Sequence, residues 1–281
     1  MTSKKWALIL GASSGFGAGA ARRFATEGYD VIGIHLDRKS TRHMAEAVQE
    51  DVRKSGQEAV FFNINAADPL KIESTLDAIH EHFTGAEGEN TIIALMHSLA
   101  FGTLLPFITA DMKKVMRPKQ LTMTTEVMAN SLIYWVQGLI KRGMMSSGGR
   151  IIAMTSSGSR RCIPDYGAVS SAKAALESHV RQLSLELAPF NITANAVCAG
   201  VTDTDALRKI PINKKLARVA IDRNPHHRLG TVEEVADTIV GLCSPAFRWI
   251  NGNTIHCDGG EDAVAVGNLL SDQAEGSFPP S

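Results

Sequence analysis

Lys5-Trp6-Ala7-Leu8-Ile9-Leu10-Gly11-Ala12-Ser13-Ser14-Gly15-Phe16-Gly17 opens the chain with an apolar run that ends in a glycine-rich turn. A short apolar run meets a G-x-x-x-G-x-G turn, and residues of helical character follow as far as Gly28. Glycines let the main chain turn tightly and approach a phosphate, and the following helix N-terminus offers free N–H groups and the positive end of its dipole. The motif carries weight only as the first strand-to-helix turn of an alternating chain.

The rest of the sequence supplies that alternation. Besides Trp6–Leu10, apolar runs fall at Asp30–His35, Ala59–Ile64, Thr91–Met96, Gly149–Met154, Ile192–Cys198 and Asn253–Cys257. Several are apolar throughout, which suits strands covered on both faces. Between them Leu176, Val180, Leu183 and Leu187 recur at helical spacing before Pro189, and Val127, Met128, Val136, Leu139 and Ile140 mark another helix. Thr231 followed by Glu234 reads as a capping box opening a helix through Leu242. The expectation is an α/β fold: a Rossmann-type, doubly wound parallel sheet of about seven strands with helices on both faces. Residues 1–281 read as one domain. Val201–Gly230 is long and weakly patterned, as a lid over a site would be. The tail 261–281, ending Ser-Phe-Pro-Pro-Ser, reads as poorly ordered or packed on another subunit.

Composition removes other classes. Lys plus Arg and Asp plus Glu both number 29, so the formal charge is zero and a nucleic-acid partner is not expected. No run of 18 apolar residues exists, so no spanning helix is expected, and the apolar run before Gly11 is too short for a signal peptide. Cys162, Cys198, Cys243 and Cys257 lack metal-ligand spacing and read as reduced, buried thiols in a cytoplasmic protein. His226 and His227, adjacent in a polar stretch, read as surface residues, and no metal site is expected.

The end of the second strand reads Ile34-His35-Leu36-Asp37-Arg38-Lys39. Asp37 is placed to grip a ribose 2′-OH, which favours NADH. Arg38 and Lys39 match a 2′-phosphate in charge and fork geometry, and Ser13 and Ser14 add hydroxyls, which favours NADPH. NADPH is the preferred reading; the alternative is that Arg38 and Lys39 are a solvated helix start.

Only three tyrosines are present. Tyr29 sits in a turn without a basic neighbour, and Tyr134, beside Trp135, reads as core packing. Tyr166 is followed seven residues later by Lys173, two helical turns on and offset by about 20°. An ammonium there is expected to lower the phenol pKa and make Tyr166 a proton donor near neutrality.

The glycine turn, the Tyr166–Lys173 pair, Asn195-Ala196-Val197-Cys198-Ala199-Gly200-Val201-Thr202-Asp203-Thr204 and Asp258-Gly259-Gly260 together resemble the short-chain dehydrogenase/reductase family, from about Lys5 to Gly260. The resemblance implies nicotinamide hydride chemistry and a homo-oligomer, often a tetramer. It implies that Lys173 binds the nicotinamide ribose, that Asn65 and Ala66 lie beside the adenine, and that Thr202 and Thr204 lie beside the carboxamide and pyrophosphate. It also places Gly200, Ser98, Leu99 and Ala100 against the cofactor with Gly11, Gly15, Phe16 and Gly17, and Ser156 at the position of the family's catalytic serine.

Departures from the family pattern narrow this. Most members carry Tyr four residues before Lys, where this chain has Val169, and an Asn-Asn-Ala-Gly segment where it has His97-Ser98-Leu99-Ala100. Met128 falls where many carry a catalytic asparagine, and Asn130 would face elsewhere on a helix. The Tyr-x6-Lys spacing with His-Ser-Leu is similar to the enoyl-acyl-carrier-protein reductases. The stretch from Tyr166 to Leu176 and Thr202-Asp203-Thr204-Asp205-Ala206-Leu207 most resemble type III of them; Ser156, where type I enzymes carry a second tyrosine, fits the same type. Shifting the donor three residues along a helix moves it by about 4.5 Å, comparable with the step from a ketone oxygen to a thioester oxygen two bonds beyond the hydride acceptor.

The expected reaction is NADPH-dependent reduction of a trans-2-enoyl thioester carried on acyl-carrier protein or CoA, with Tyr166, Lys173 and Ser156 as the reacting set. Ala206, Leu207 and Ile210 are expected to wall an acyl chain, and Arg208, Lys209, Lys214 and Lys215 to face an acidic carrier or simply solvent. The alternatives are a 3-oxoacyl-carrier-protein reductase or hydroxysteroid dehydrogenase of the same fold, and a non-catalytic nucleotide sensor.

Overall fold

The computed structural model describes residues 4–85 and 88–264. Seven strands form one parallel sheet in the order β3-β2-β1-β4-β5-β6-β7. They are β1 (Lys4–Leu10), β2 (Asp30–His35), β3 (Ala59–Asn63), β4 (Asn90–His97), β5 (Met145–Thr155), β6 (Thr193–Ala199) and β7 (Thr254–Cys257). The helices are α1 (Gly15–Thr26), α2 (Arg42–Lys54), α3 (Pro69–Gly85), α4 (Pro118–Thr125), α5 (Ser131–Lys141), α6 (Gly167–Glu186), α7 (Asp205–Arg208), α8 (Asn213–Arg223) and α9 (Val232–Leu242).

The unbroken apolar strands follow from two cores. Trp6, Leu8 and Leu10 of β1 point to a layer with Ile72, Leu76 and Ile79 of α3, Trp135 and Leu139 of α5, and Leu176 and Val180 of α6. Ala7 and Ile9 point the other way, to Ala20, Ala21 and Phe24 of α1, Val48 and Val52 of α2, and Val235 and Ile239 of α9. Alternate residues of one strand thus feed opposite layers, so both faces of β1 are apolar. Gly19 lets α1 lie against α9; a Cβ there would sit 2.3 Å from Val232 Cγ1.

β5 begins four residues earlier than its apolar pattern. Ile92 pairs with Met145 but Ala94 pairs with Arg150, and the irregularity absorbs the intervening Ser and Gly residues. α6 ends at Glu186, with Leu187 as its C-cap, and Pro189 lies in the 3-10 turn beyond it. The Thr231–Glu234 capping box is present in both directions, at 2.9 and 3.2 Å. Val201–Gly230 departs from expectation: it carries α7 and α8, because Thr204 caps α7 and Leu216 and Ala220 give α8 an inward face. Of the tail, only residues up to 264 are described; 265–281 lie outside. No helix among the described residues is long and apolar enough to cross a membrane.

β1 has β2 on one side and β4 on the other, and the chain winds away from it in both directions. The carboxyl ends of β1 and β4 therefore flank the point where a crevice opens in such sheets.

Candidate active site

Gly11 to Gly17 occupies that crevice and could not be built from other residues. Gly11 has φ +93°, and a Cβ on it would lie 2.5 Å from Ser98 O at the end of β4. A Cβ on Gly17 would lie 2.0 Å from Gly11 O. Gly15, at φ +52°, leaves open space except for Thr204 at 3.7 Å. Ser14 is the N-cap of α1 but its hydroxyl makes no capping bond, and no acidic side chain stands in the first turn. A turn held this close, opening onto free helix N–H groups, fits a dinucleotide pyrophosphate. Phe16 is half-buried and packs its ring into the second core. Ser13 to Gly15 border a cavity of about 430 Å³ that also meets His43, Thr204 and Arg208. A larger cavity of about 670 Å³ lies among Lys4, Glu27, Arg53 and Glu58 and touches none of these groups.

Beyond β2, Asp37 is turned inward. His35 Nδ1 lies 2.8 Å from its Oδ2, and its N–H donates to Asn63 Oδ1 at 2.9 Å. Burial pushes the carboxyl pKa up, but the hydroxyls of Thr41 and Ser13 and the His35 ring outweigh it and leave it lowered. Arg38 and Lys39 are exposed and form no ion pair among the described residues. Asn65 Oδ1 accepts from Ala67 N at 3.0 Å, and buried Trp135 donates to Ala66 O at 2.9 Å, which fixes the turn after β3. At the end of β4, Ser98 N donates to Leu10 O at 2.8 Å, Leu99 is half-buried and Ala100 is exposed. Past β6, Gly200 packs on Asp258, Thr202 bridges to Gly230, and buried Thr204 caps α7.

Tyr166 is the N-cap of α6, and Lys173 lies two turns along that helix. Lys173 is buried and its Nζ donates to Met154 O at 2.7 Å and Leu99 O at 3.4 Å, tying α6 to the ends of β5 and β4. Burial lowers its pKa to about 8, with Glu177 acting the other way. Ser156 follows β5 directly, and its Oγ accepts from Gly158 N at 3.1 Å. The Tyr166 ring lies on Gly158, where a Cβ would be 2.6 Å from Cε1. One expectation is overturned here. The Tyr166 pKa is raised, not lowered: burial is the dominant cause, Ser156 opposes it, and Cys198 adds to it. The lysine's charge is spent on two carbonyls rather than on the phenol.

Met128, Val169 and Ala172 are buried together, with Leu104, Val127 and Tyr166 packed on them. Met128 sits in a π-turn, Glu126–Asn130, that joins α4 to α5. Asn130 faces away from this cluster, donating to Glu126 at 2.8 Å and lying 3.1 Å from His179. His97 Nε2 lies 2.9 Å from Ser131 Oγ; burial, then Lys173, lowers its pKa to about 3, so it orients the strand end as a neutral ring and not as a base near neutrality.

Other expectations need correction. Tyr134 packs its ring against the first core as expected but is only half-buried, and its hydroxyl donates to Glu126 Oε2 at 2.7 Å. Cys162 is exposed and Cys257 half-buried; only Cys198 and Cys243 are buried. In the α7–α8 segment Ala206 is exposed, Leu207 and Ile210 are half-buried, and Arg208 pairs with Asp203 and Asp205 while Lys209, Lys214 and Lys215 are exposed. His226 and His227 are exposed, as their sequence context implied, and among the described residues no group of three or more His, Cys, Asp or Glu is placed to hold a metal ion. Two groups at the site escape a motif search. Glu177 stands four residues after Lys173, a helix-face spacing that is legible once Lys173 is singled out. Glu261, whose Oε2 accepts from Val201 N at 2.9 Å, has no local signal at all.

The chain matches the family model described as Enoyl-(Acyl carrier protein) reductase over residues 11–261. It is 28% identical to a 1-cyclohexenylcarbonyl-CoA reductase of Streptomyces collinus over 92% of this chain and 87% of that one. It is 29% identical to the 3-oxoacyl-[acyl-carrier-protein] reductase of Escherichia coli, over 91% and 96%. Among solved structures, an Aquifex aeolicus enoyl-[acyl-carrier-protein] reductase (NADH) superimposes with TM-score 0.80 at 26% identity, over 93% of this chain and 98% of that one. A Burkholderia cenocepacia short-chain dehydrogenase in complex with NADP gives 0.77 at 27%, over 92% and 98%.

Proposed function

The chain belongs to the enoyl-(acyl carrier protein) reductase family of short-chain oxidoreductases, and from that premise we propose that it reduces the trans-2 double bond of an enoyl thioester. The observation that carries the proposal is the pairing of Tyr166 with an apolar floor. Met128, Val169 and Ala172 pack against the phenol, so no polar side chain at 128 or 169 can relay a proton to a ketone oxygen. The half-buried phenol, its pKa raised by desolvation, is left as a hydrogen-bond donor.

The residues present fit a nicotinamide dinucleotide: Gly11 to Gly17 would hold its pyrophosphate, Asn65 and Ala66 border its adenine, and Lys173, Thr202 and Thr204 its nicotinamide half. When bound, the group supplies the hydride that the thioester's Cβ receives. Tyr166 donates a hydrogen bond to the oxygen on which enolate charge develops, and preorganised donation of this kind is worth most in a site closed to water. Ser156 orients the same oxygen, and Lys173 keeps positive charge at the floor of the site. Arg38 and Lys39, exposed and unpaired among the described residues, favour a 2′-phosphate and hence NADPH, while Asp37 already accepts from its own neighbours. The carrier would be acyl-carrier protein or CoA, approached through the α7–α8 segment, and the working form a homo-oligomer.

The test is isotopic. Dinucleotide deuterated at the transferable position is incubated with a trans-2-enoyl thioester, in separate NADPH and NADH reactions. The expected product is the saturated thioester with deuterium at Cβ and a solvent proton at Cα, formed faster with NADPH. Recovery of unreduced enoyl thioester with both dinucleotides would refute the proposal.

A further inference from the structure

We infer that Glu177 is a positioning residue for the reacting set, because its carboxylate ties the two hydroxyls that bracket Ser156 to the helix carrying Lys173. The inference rests on Tyr166, Lys173 and Ser156 being the reacting groups.

Three side-chain ties hold the strand end to α6. Lys173 Nζ donates to Met154 O at 2.7 Å. One turn further along the helix, Glu177 Oε1 accepts from Thr155 Oγ1 at 2.6 Å and from Ser159 Oγ at 2.8 Å. Ser156 lies between the last two of these ties, followed by Ser157 and Gly158. Thr155 is the last residue of β5 and is buried, while Ser159 closes the 3-10 turn Ser157–Ser159. Within the bracket, Gly158 N donates to Ser156 Oγ and Ser159 N to Ser156 O at 2.9 Å.

The bracket matters to Tyr166 because the ring rests on Gly158. A hydroxyl rotates freely and by itself fixes little. Two hydroxyls converging on one carboxylate oxygen are different, since bonds to an ionised acceptor are shorter and roughly twice as strong as neutral ones. Remove the carboxylate, and the turn keeps its own short-range bonds and the ties of Arg160 and Arg161 to Asp262 but none to α6, so the Tyr166 ring loses a fixed bed. Glu177 touches neither cofactor nor substrate in this account; it acts through Ser156 and Gly158.

The variants are Glu177→Ala, Glu177→Gln and the double variant Thr155→Val with Ser159→Ala. The readouts are kcat on whichever thioester the wild type reduces, KM for the dinucleotide, and hydrogen exchange at the amides of Gly158 and Ser159 in the cofactor-free protein. Glu177→Ala is expected to lower kcat at least about tenfold, as small misplacements of reacting groups do, while dinucleotide KM stays within about twofold. Exchange at Gly158 and Ser159 should quicken. Glu177→Gln, whose carbonyl oxygen still accepts both hydroxyls, should recover to within about threefold of wild type, a difference below about 1 kcal/mol. The double variant should reproduce Glu177→Ala, and it decides the matter if the alanine variant does not fold. Wild-type kcat in folded Glu177→Ala, equal impairment in alanine and glutamine variants, or unchanged exchange would each overturn the inference. If the wild type reduces no thioester, the proposed function fails, and the exchange readout still judges the tie.

Discussion

A phenol held protonated through the neutral range donates a hydrogen bond well and acts poorly as a base, and Tyr166 is held so by burial. Enolate stabilisation needs a donor of that kind. Tyr166→Phe removes the hydroxyl without disturbing the ring's seat on Gly158, so kcat should fall about 100-fold, within the range for a positioned donor. Dinucleotide affinity, measured by calorimetry, should not change. Lys173 titrates in the opposite sense. Burial holds its pKa at about 8, so the ammonium is present below that pH and is lost as pH rises through it. Of the titratable groups acting on it, His97 is neutral and Glu177 favours the charged form. Affinity for the anionic dinucleotide should therefore decline as pH rises across about 8 in the wild type. In Lys173→Met it should be weaker and flat across the same interval. A flat wild-type profile would mean that Lys173 carries no charge toward the dinucleotide. Neither pKa direction could be read from residue spacing, because Tyr166 and Lys173 stand correctly spaced while burial decides the sign.

At the scale of elements, the turn between β1 and α1 is the least replaceable piece. A Cβ on Gly17 would lie 2.0 Å from Gly11 O, so Gly17→Ala must open the turn. Dinucleotide affinity should drop at least about tenfold, more than about 1.4 kcal/mol, with circular dichroism unchanged. Gly28 offers the contrast: it has φ +82° but nothing within 4 Å of a Cβ, so Gly28→Ala should cost stability through backbone strain and leave binding alone. Equal binding losses in both would mean that the turn is not the dinucleotide's seat. The glycine turn and the Thr231 capping box were legible because each is a local pattern with a local cause. The π-turn at Met128, the early start of β5 and the helices within 201–230 were not. Each depends on what the chain does elsewhere: Asn130 turning to Glu126 and His179, β4 pairing across an irregularity, and the C-terminal end of α8 tied to the chain after β7.

Across the whole molecule, the order of the sheet brings distant segments to one edge. Gly11 to Gly17 follows β1, Ser98 follows β4, Ser156 follows β5 and Thr202 follows β6, all at carboxyl ends of parallel strands. That placement was predictable from alternating apolar runs, since strands covered on both faces must be parallel and crossed by helices. What sequence could not supply was the chemistry between the ends, such as the inward turn of Asp37 onto His35 and the carboxylate of Glu177 on Thr155 and Ser159. The apolar contact of Met128 with Val169 is the sharpest of these, because the proposed enoyl reduction rests on it. The measurement that tests it most directly is oxidation of NADPH by purified protein with crotonyl-CoA, run beside acetoacetyl-CoA under the same conditions. Rapid loss of the reduced-nicotinamide absorbance is expected with the enoyl thioester and little with the keto thioester. Consumption confined to acetoacetyl-CoA would contradict it and assign the chain to carbonyl reduction.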